Sequence, residues 1–350
     1  MPEERNRRVR MGAGAVALAA AGAAGTAIQR RHMRRIEADR EQSVLTSPPP
    51  GAPLPARSAD GTMLHAEVFG ADGGTTVVLA HGWTELLSYW TYVINALVAR
   101  GYRVVAYDLR GHGQSEPAVG GDYAMRRFGE DLEAVLVAAA PDGRRAVVAG
   151  HSLGAMSIAA WAEHHDVARR VYAAALLNTG VGDLMAQQLL LPAPALAQAV
   201  NKTVATRGLL GARAPLPKVS TPATHAAIRY IAFGRDATPA QIAFYERMLW
   251  ACPPDARAKI GIAMSEMELH HTLARLTVPT LVIAGEHDRL TPPSHAQRIA
   301  EMLPNLARLM VLPDTGHMAP LERADEVSRA IEELAARSHD ADGGTPRVGA

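Results

Sequence analysis

The chain has 350 residues, 48% of them hydrophobic and 20% charged, and a formal net charge of +1. Such a composition supplies a sizeable buried core and excludes disordered, fibrous and peptide-scale classes. A single cysteine, Cys252, excludes an intramolecular disulfide framework and any Cys-rich zinc or iron–sulfur site, so stability must come from packing.

The near-neutral total conceals an asymmetry. Residues 1–41 hold nine arginines against five acids, which leaves the remainder slightly acidic. A body of that charge with no basic stripe argues against nucleic-acid binding. Met11 to Gln29 is uncharged and flanked by Arg5, Arg7, Arg8 and Arg10 before it and by Arg30, Arg31, Arg34 and Arg35 after it. Its length approaches the roughly 20 residues a bilayer span requires, but nine alanines and four glycines make it only weakly apolar. Three readings stay open: a membrane segment that tethers the protein through residues 11–29, an export signal in which Arg7-Arg8 resembles a twin-arginine start, and an Ala-rich leader of a cytoplasmic protein with no targeting role. Ser47 to Pro55 is proline-rich and reads as a tether, so residues 1–53 form leader and linker, and the folded part is expected to begin near Leu54.

From there short β-branched runs alternate with amphipathic stretches. Strands are expected at Leu64–Phe69, Thr76–Ala80, Val104–Tyr107, Ala146–Ala149, Ala173–Leu177, Thr280–Ala284 and Leu309–Leu312. Helices are expected at Leu86–Ala99, Phe128–Ala140, Leu153–Glu163, Ser294–Leu303 and Glu322–Ala336. Continuous apolar strands separated by helices specify an α/β fold, a mostly parallel sheet covered on both faces. The alternation breaks once, over 179–272, where no convincing strand occurs. That stretch is expected to be an inserted helical cap, with helices at Leu189–Val200 and after Thr238-Pro239, where Thr caps and Pro takes the first turn. The core then comprises 54–178 and 273–337, and 338–350 reads as a loose tail.

Chemistry concentrates at Gly150-His151-Ser152-Leu153-Gly154, which a strand enters and a helix leaves. A G-x-S-x-G at such a corner forces the serine into a strained turn with its Oγ exposed. A serine hydroxyl needs a histidine to take its proton and a carboxylate to hold the imidazole tautomer. Asp288, in Gly285-Glu-His-Asp-Arg-Leu-Thr-Pro292, and His317, in Pro313-Asp-Thr-Gly-His-Met318, each follow a strand end on the edge that carries Ser152. Asp183 is the reserve acid. His65, His287 and the pairs His164-His165 and His270-His271 lack the carboxylate and cysteine company of metal sites, and Asp314 and Glu286 read as solvated. No basic group adjoins Cys252, so it reads as an inert buried thiol.

The order Ser, Asp, His, together with His81-Gly82-Trp83 after one strand and Asp108-Leu-Arg-Gly-His-Gly-Gln-Ser115 after the next, resembles the α/β-hydrolase superfamily over residues 60–337. The resemblance implies Ser152 as nucleophile, His317 as base, Asp288 as its orienter, and the Trp83 and Leu153 backbone amides as oxyanion donors, with no metal or organic cofactor. Asp108 to Ser115 reads as a structural turn. Epoxide hydrolases and haloalkane dehalogenases of this fold carry aspartate where Ser152 stands, and the His-Gly-Gly-Gly string of hormone-sensitive-lipase-like esterases is absent. The implied function is an esterase or lipase-like serine hydrolase acting on a small-molecule ester. Leu189, Leu190, Leu191, Phe233, Phe244, Tyr245, Met248 and Trp250 suggest an apolar acyl or alkyl group. A cofactor-free perhydrolase or haloperoxidase, a carbon–carbon bond hydrolase and an acyltransferase share the same triad, and a non-enzymatic tethered binding protein on the same fold is the other class.

Overall fold

The computed structural model describes residues 22–141, 143–184, 211–213, 216 and 218–341. Ten strands are formed among them: β1 (Ala52–Pro53), β2 (Ala56–Arg57), β3 (Met63–Leu64), β4 (Ala66–Phe69), β5 (Thr76–Ala80), β6 (Arg103–Tyr107), β7 (Ala146–His151), β8 (Val171–Leu177), β9 (Thr280–Gly285) and β10 (Leu306–Leu312). Eight of them make one sheet in the order β1-β4-β6-β5-β7-β8-β9-β10. β4 runs antiparallel to β1 and β6, and the other pairings are parallel. β2 and β3 pair separately as a small ribbon.

The central strands are apolar on both faces because helices cover both. On one side Met125–Ala139 and Leu153–His164 bury Phe128, Leu132, Ile158 and Trp161. On the other, Thr91–Ala99 and Ala324–Ala341 bring Ile94, Leu97, Val327 and Ile331 onto Val77, Leu79 and Val147. The expected Leu86–Ala99 helix divides into a 3-10 turn, Leu87–Trp90, and an α-helix, and the expected Glu322–Ala336 helix is preceded by a separate turn, Ala319–Glu322. Arg110, in the turn after β6, is buried and grips Asp131 with two bonds at 2.6 and 2.7 Å and Asp60 at 2.8 Å, which fastens that turn to the Met125–Ala139 helix.

Within 179–272 the described helices are Pro222–Ala232, Pro239–Ala251 and Pro254–Glu266. Thr238 caps the second by accepting from the Gln241 amide, with Pro239 in its first turn, as the sequence specifies. The Leu189–Val200 helix and Leu189, Leu190 and Leu191 lie outside the described residues.

Ordered structure begins before Leu54. Residues 22–37 are helical and Glu41–Thr46 forms a short helix, with Ile36 and Leu45 buried. Asp39 accepts the Ala240 amide at 3.0 Å and Gln29 donates to the Ser220 carbonyl at 2.6 Å, which fastens this segment to the inserted stretch, and Glu41 accepts the hydroxyl of Tyr92, in the Thr91–Ala99 helix, at 2.9 Å. Ala52 and Pro53 of the proline-rich stretch pair with Val68 and Glu67 as the sheet's edge strand. Proline is tolerated there because an edge strand leaves one row of amides without a ladder partner. Residues 11–21 lie outside the described residues, as do 342–350. Among those described, no helix is long and apolar enough to cross a membrane.

Candidate active site

Parallel strands place their carboxyl ends on one rim, and the predicted residues follow the ends of three of them: Ser152 after β7, and, across β8, Asp288 after β9 and His317 after β10. Ser152 has φ 50° and ψ −114°, a conformation L-residues rarely hold. Packing enforces it: a Cβ on Gly154 would strike the Ala80 carbonyl, and one on Gly150 would strike the backbone of Gly154 and Ala155. The Ser152 amide donates to Leu177 at 2.9 Å, and its carbonyl accepts from Ala155 and Met156, so the corner is held to β8 and to its own helix. The side chain is partly exposed, and its Oγ makes no hydrogen bond among the described residues.

Asp288 and His317 meet directly, with Nδ1 2.8 Å from Oδ2, and both are buried. The Asp288 carboxylate also accepts the Leu290 and Thr291 amides at 2.9 Å each, the Thr291 hydroxyl at 2.9 Å and the Asn178 amide at 3.1 Å. Burial by itself raises the Asp288 pKa, but the His317 charge and hydrogen bond, helped by Thr291 and Asn178, outweigh it and hold the carboxyl below its ordinary value. The partner shift is opposite. Burial lowers the His317 pKa, and the Asp288 charge and hydrogen bond, then the charges of Glu85 and Glu322, overcome it and raise the imidazole above 6.5. With Nδ1 facing the carboxylate, neutral His317 carries its proton there and offers Nε2 as a base.

The loop after β5 brings Trp83 to the same rim. Neither the Trp83 nor the Leu153 amide donates a hydrogen bond among the described residues. Thr84, at φ 63°, donates its hydroxyl to the Trp83 carbonyl at 2.6 Å and its amide to His112 Nε2 at 3.2 Å. The inserted helices touch this loop twice: the Trp83 indole donates to the Arg257 carbonyl at 3.1 Å, and the Tyr245 hydroxyl lies 3.1 Å from Thr84 Oγ1. Phe233, Phe244 and Met248 are buried.

Asp183 is exposed and paired with Arg298 at 3.2 Å, and it makes no hydrogen bond with His317 among the described residues. Cys252 is buried in apolar surroundings, which push its thiol up to about 12 despite the nearby Arg257 charge. His287 does have carboxylate company. Glu286, His287 and Asp314 place one ligand atom each within 4.8 Å of one another on the surface, the one group among the described residues that could hold a cation. Four participants were not singled out in the sequence: Asn178, Thr291, Glu85 and Glu322. Glu85 accepts the Gly82 amide at 2.5 Å, and Glu322 accepts those of Gly316 at 3.0 Å and Met318 at 3.2 Å, either side of His317. Asn178 and Thr291 each follow or adjoin a strand end, which was the available signal.

The model of the alpha/beta hydrolase fold family matches residues 75–324. The chain belongs to that family. A non-heme haloperoxidase of Rhodococcus erythropolis is 30% identical over 279 residues, 77% of this chain and 95% of that protein. Among solved structures, a thermophilic esterase of Thermogutta terrifontis superposes with a TM-score of 0.65 at 23% identity, covering 83% of this chain and all of that one. A hydrolase of Pseudomonas aeruginosa gives 0.60 at 26% identity over 82% of this chain and 99% of the other. Membership of this family supports hydrolase activity.

Proposed function

We propose that the protein is a serine hydrolase that cleaves a carboxylic ester with an apolar acyl or alkyl group through an acyl-enzyme. The buried 2.8 Å Asp288–His317 bond on the rim that carries the strained Ser152 corner is the observation behind this reading. Ser152 Oγ attacks the ester carbonyl as its proton passes to His317 Nε2, and the oxyanion is received by the Trp83 and Leu153 amides. Collapse expels the alcohol, which takes the proton from His317. Water activated by the same imidazole then releases the acid. The bond between Ser152 and His317 forms, in this scheme, as the acyl group settles, as is common for catalytic contacts that are loose without substrate. The helices of 179–272 act as a cap, supported by the contacts of Tyr245 and Arg257 with the oxyanion loop.

A fluorophosphonate probe tests the assignment. The wild type is expected to be labelled and Ser152→Ala not; equal labelling of both would refute it. A series of p-nitrophenyl esters of increasing acyl length, with a lactone and a monoglyceride, then reads the leaving-group and acyl preference.

A second reading is favoured by the haloperoxidase relative. Hydrogen peroxide in place of water would release the acyl group as a peracid, with the same proton movements through His317. Peroxide- and carboxylate-dependent bromination that disappears in Ser152→Ala would support it; ester hydrolysis without such bromination would exclude it.

A further inference from the structure

Glu85 and His151 border the site, and both are almost fully buried. His151 immediately precedes Ser152. Its Nε2 lies 2.8 Å from the His317 carbonyl oxygen, and its Nδ1 lies 3.0 and 3.1 Å from the two oxygens of Glu85. The Glu85 carboxylate in turn accepts the Gly82 amide at 2.5 Å. One pair of side chains therefore touches the oxyanion loop, the nucleophile corner and the base loop.

The chemistry of these contacts restricts the protons. A carbonyl oxygen only accepts, so His151 Nε2 must carry a hydrogen. A neutral imidazole would then turn the Nδ1 lone pair onto a carboxylate 3.0 Å away in a dry setting, an arrangement of two acceptors with no donor between them. A proton must lie between Nδ1 and Glu85, whichever of the two formally owns it. Tyr89 packs its ring against His151 at 4.8 Å and shields the pair from water.

We propose that Glu85 and His151 form a positioning pair with one shared proton that locks the His81–Gly82 peptide, which directly precedes the Trp83 amide's own peptide, and the His317 backbone to the Ser152 corner. The proposal rests on the serine-hydrolase reading for the roles of those three. The two peptides that flank the Gly82 α-carbon are both held, the first through its Gly82 N–H by Glu85 and the second through the Gly82 carbonyl by His81 Nδ1 at 2.8 Å, and together they set the direction of the Trp83 N–H. Misplacement by about 1 Å at such a site costs about a hundredfold in rate.

The full chain and two variants test it, with kcat and KM on p-nitrophenyl acetate expressed per fluorophosphonate-titrated site. Glu85→Gln spans the same distance: its carbonyl accepts from Gly82 and its amide donates to Nδ1 of a neutral His151. Glu85→Asp keeps the charge but is one methylene too short to reach both partners. Glu85→Gln is expected to keep kcat within about threefold, and Glu85→Asp to lose roughly tenfold to a hundredfold with KM little changed. A role in folding alone would lower the melting temperature or the number of titratable sites and leave kcat per site intact in both, which overturns the proposal, as does an equal loss in both. Isotope-edited histidine NMR of the wild type, independent of turnover, should show the His151 Nε2 proton and a second, far-downfield proton held in the Nδ1–Glu85 bond, the second signal vanishing in Glu85→Gln. Its absence from the wild type overturns the shared proton. Absence of labelling in the wild type would instead sink the serine-hydrolase reading and the positioning role together.

Discussion

Glu322 accepts the Gly316 amide at 3.0 Å, one residue before His317, and the same carboxylate accepts Gly234 at 2.6 Å from the inserted segment. The base loop and the insertion therefore share one anchor. Burial raises the Glu322 pKa, against the lowering effect of the Gly234, Gly316 and Met318 amides, to about 7. Between its ordinary 4.5 and about 7 the native protein holds a proton that the unfolded chain has released. This group's contribution to stability therefore falls as pH rises through that window and is level above it. Urea midpoints measured from pH 4.5 to 8 should show this fall in the wild type relative to Glu322→Gln; parallel curves would refute it.

In the proposed mechanism the raised His317 pKa fixes the acid limb of the rate profile. The base is active only when neutral, so kcat/KM should rise with pH about a midpoint above 6.5, the ordinary value. Removing the Asp288 charge lowers that pKa, so in Asp288→Asn the midpoint should move down while kcat falls by about ten-thousandfold, the loss known for a misoriented triad histidine. An unmoved midpoint in the variant would show that Asp288 does not set the basicity of His317.

Asn178 joins two parts of the site, donating to Asp288 Oδ2 and to the Gly316 carbonyl at 3.1 Å each. A bond to a buried carboxylate is worth about 2 kcal/mol. Asn178→Ala should therefore lower kcat by more than tenfold with labelling by the fluorophosphonate still detectable but slower. Unchanged labelling kinetics would count against this support.

Asp131 pairs with Arg110 where both side chains are fully buried. Removing one partner of such a buried pair costs about 3–5 kcal/mol, and the Asp60 carboxylate that Arg110 keeps at 2.8 Å offsets part of that. Asp131→Ala should therefore lower the unfolding free energy, read from the denaturant midpoint and slope, by an amount toward the lower end of that range. Because neither residue bonds Ser152, Asp288 or His317 among the described residues, kcat per titrated site should stay near wild type.

The sheet and the site were not equally legible. Hydrophobic runs such as Thr76–Ala80 and Ala146–Ala149 and the order of Ser152, Asp288 and His317 are local signals, because a buried parallel strand must be apolar on both faces and a nucleophile corner needs its glycines. Glu85 gave no signal: a lone acid beyond a His-Gly pair reads as solvated until β5 and β7 are paired and its carboxylate is brought 3.0 Å from His151. Glu322 was read as the first residue of an ordinary helix, for the same reason.

Taken alone, then, the sequence determined the strand–helix alternation, the strained serine corner and the residue types able to relay a proton, since these depend on neighbours within a few positions. Only the tertiary structure decided that residues 29–46 fasten onto the inserted helices, that Asp183 pairs with Arg298, and that Asn178, Thr291, Glu85 and Glu322 surround the rim. Those contacts join residues up to about two hundred positions apart. Hydrogen bonds of that kind have no periodicity to read, because their partners become neighbours only when the parallel strands align their carboxyl ends.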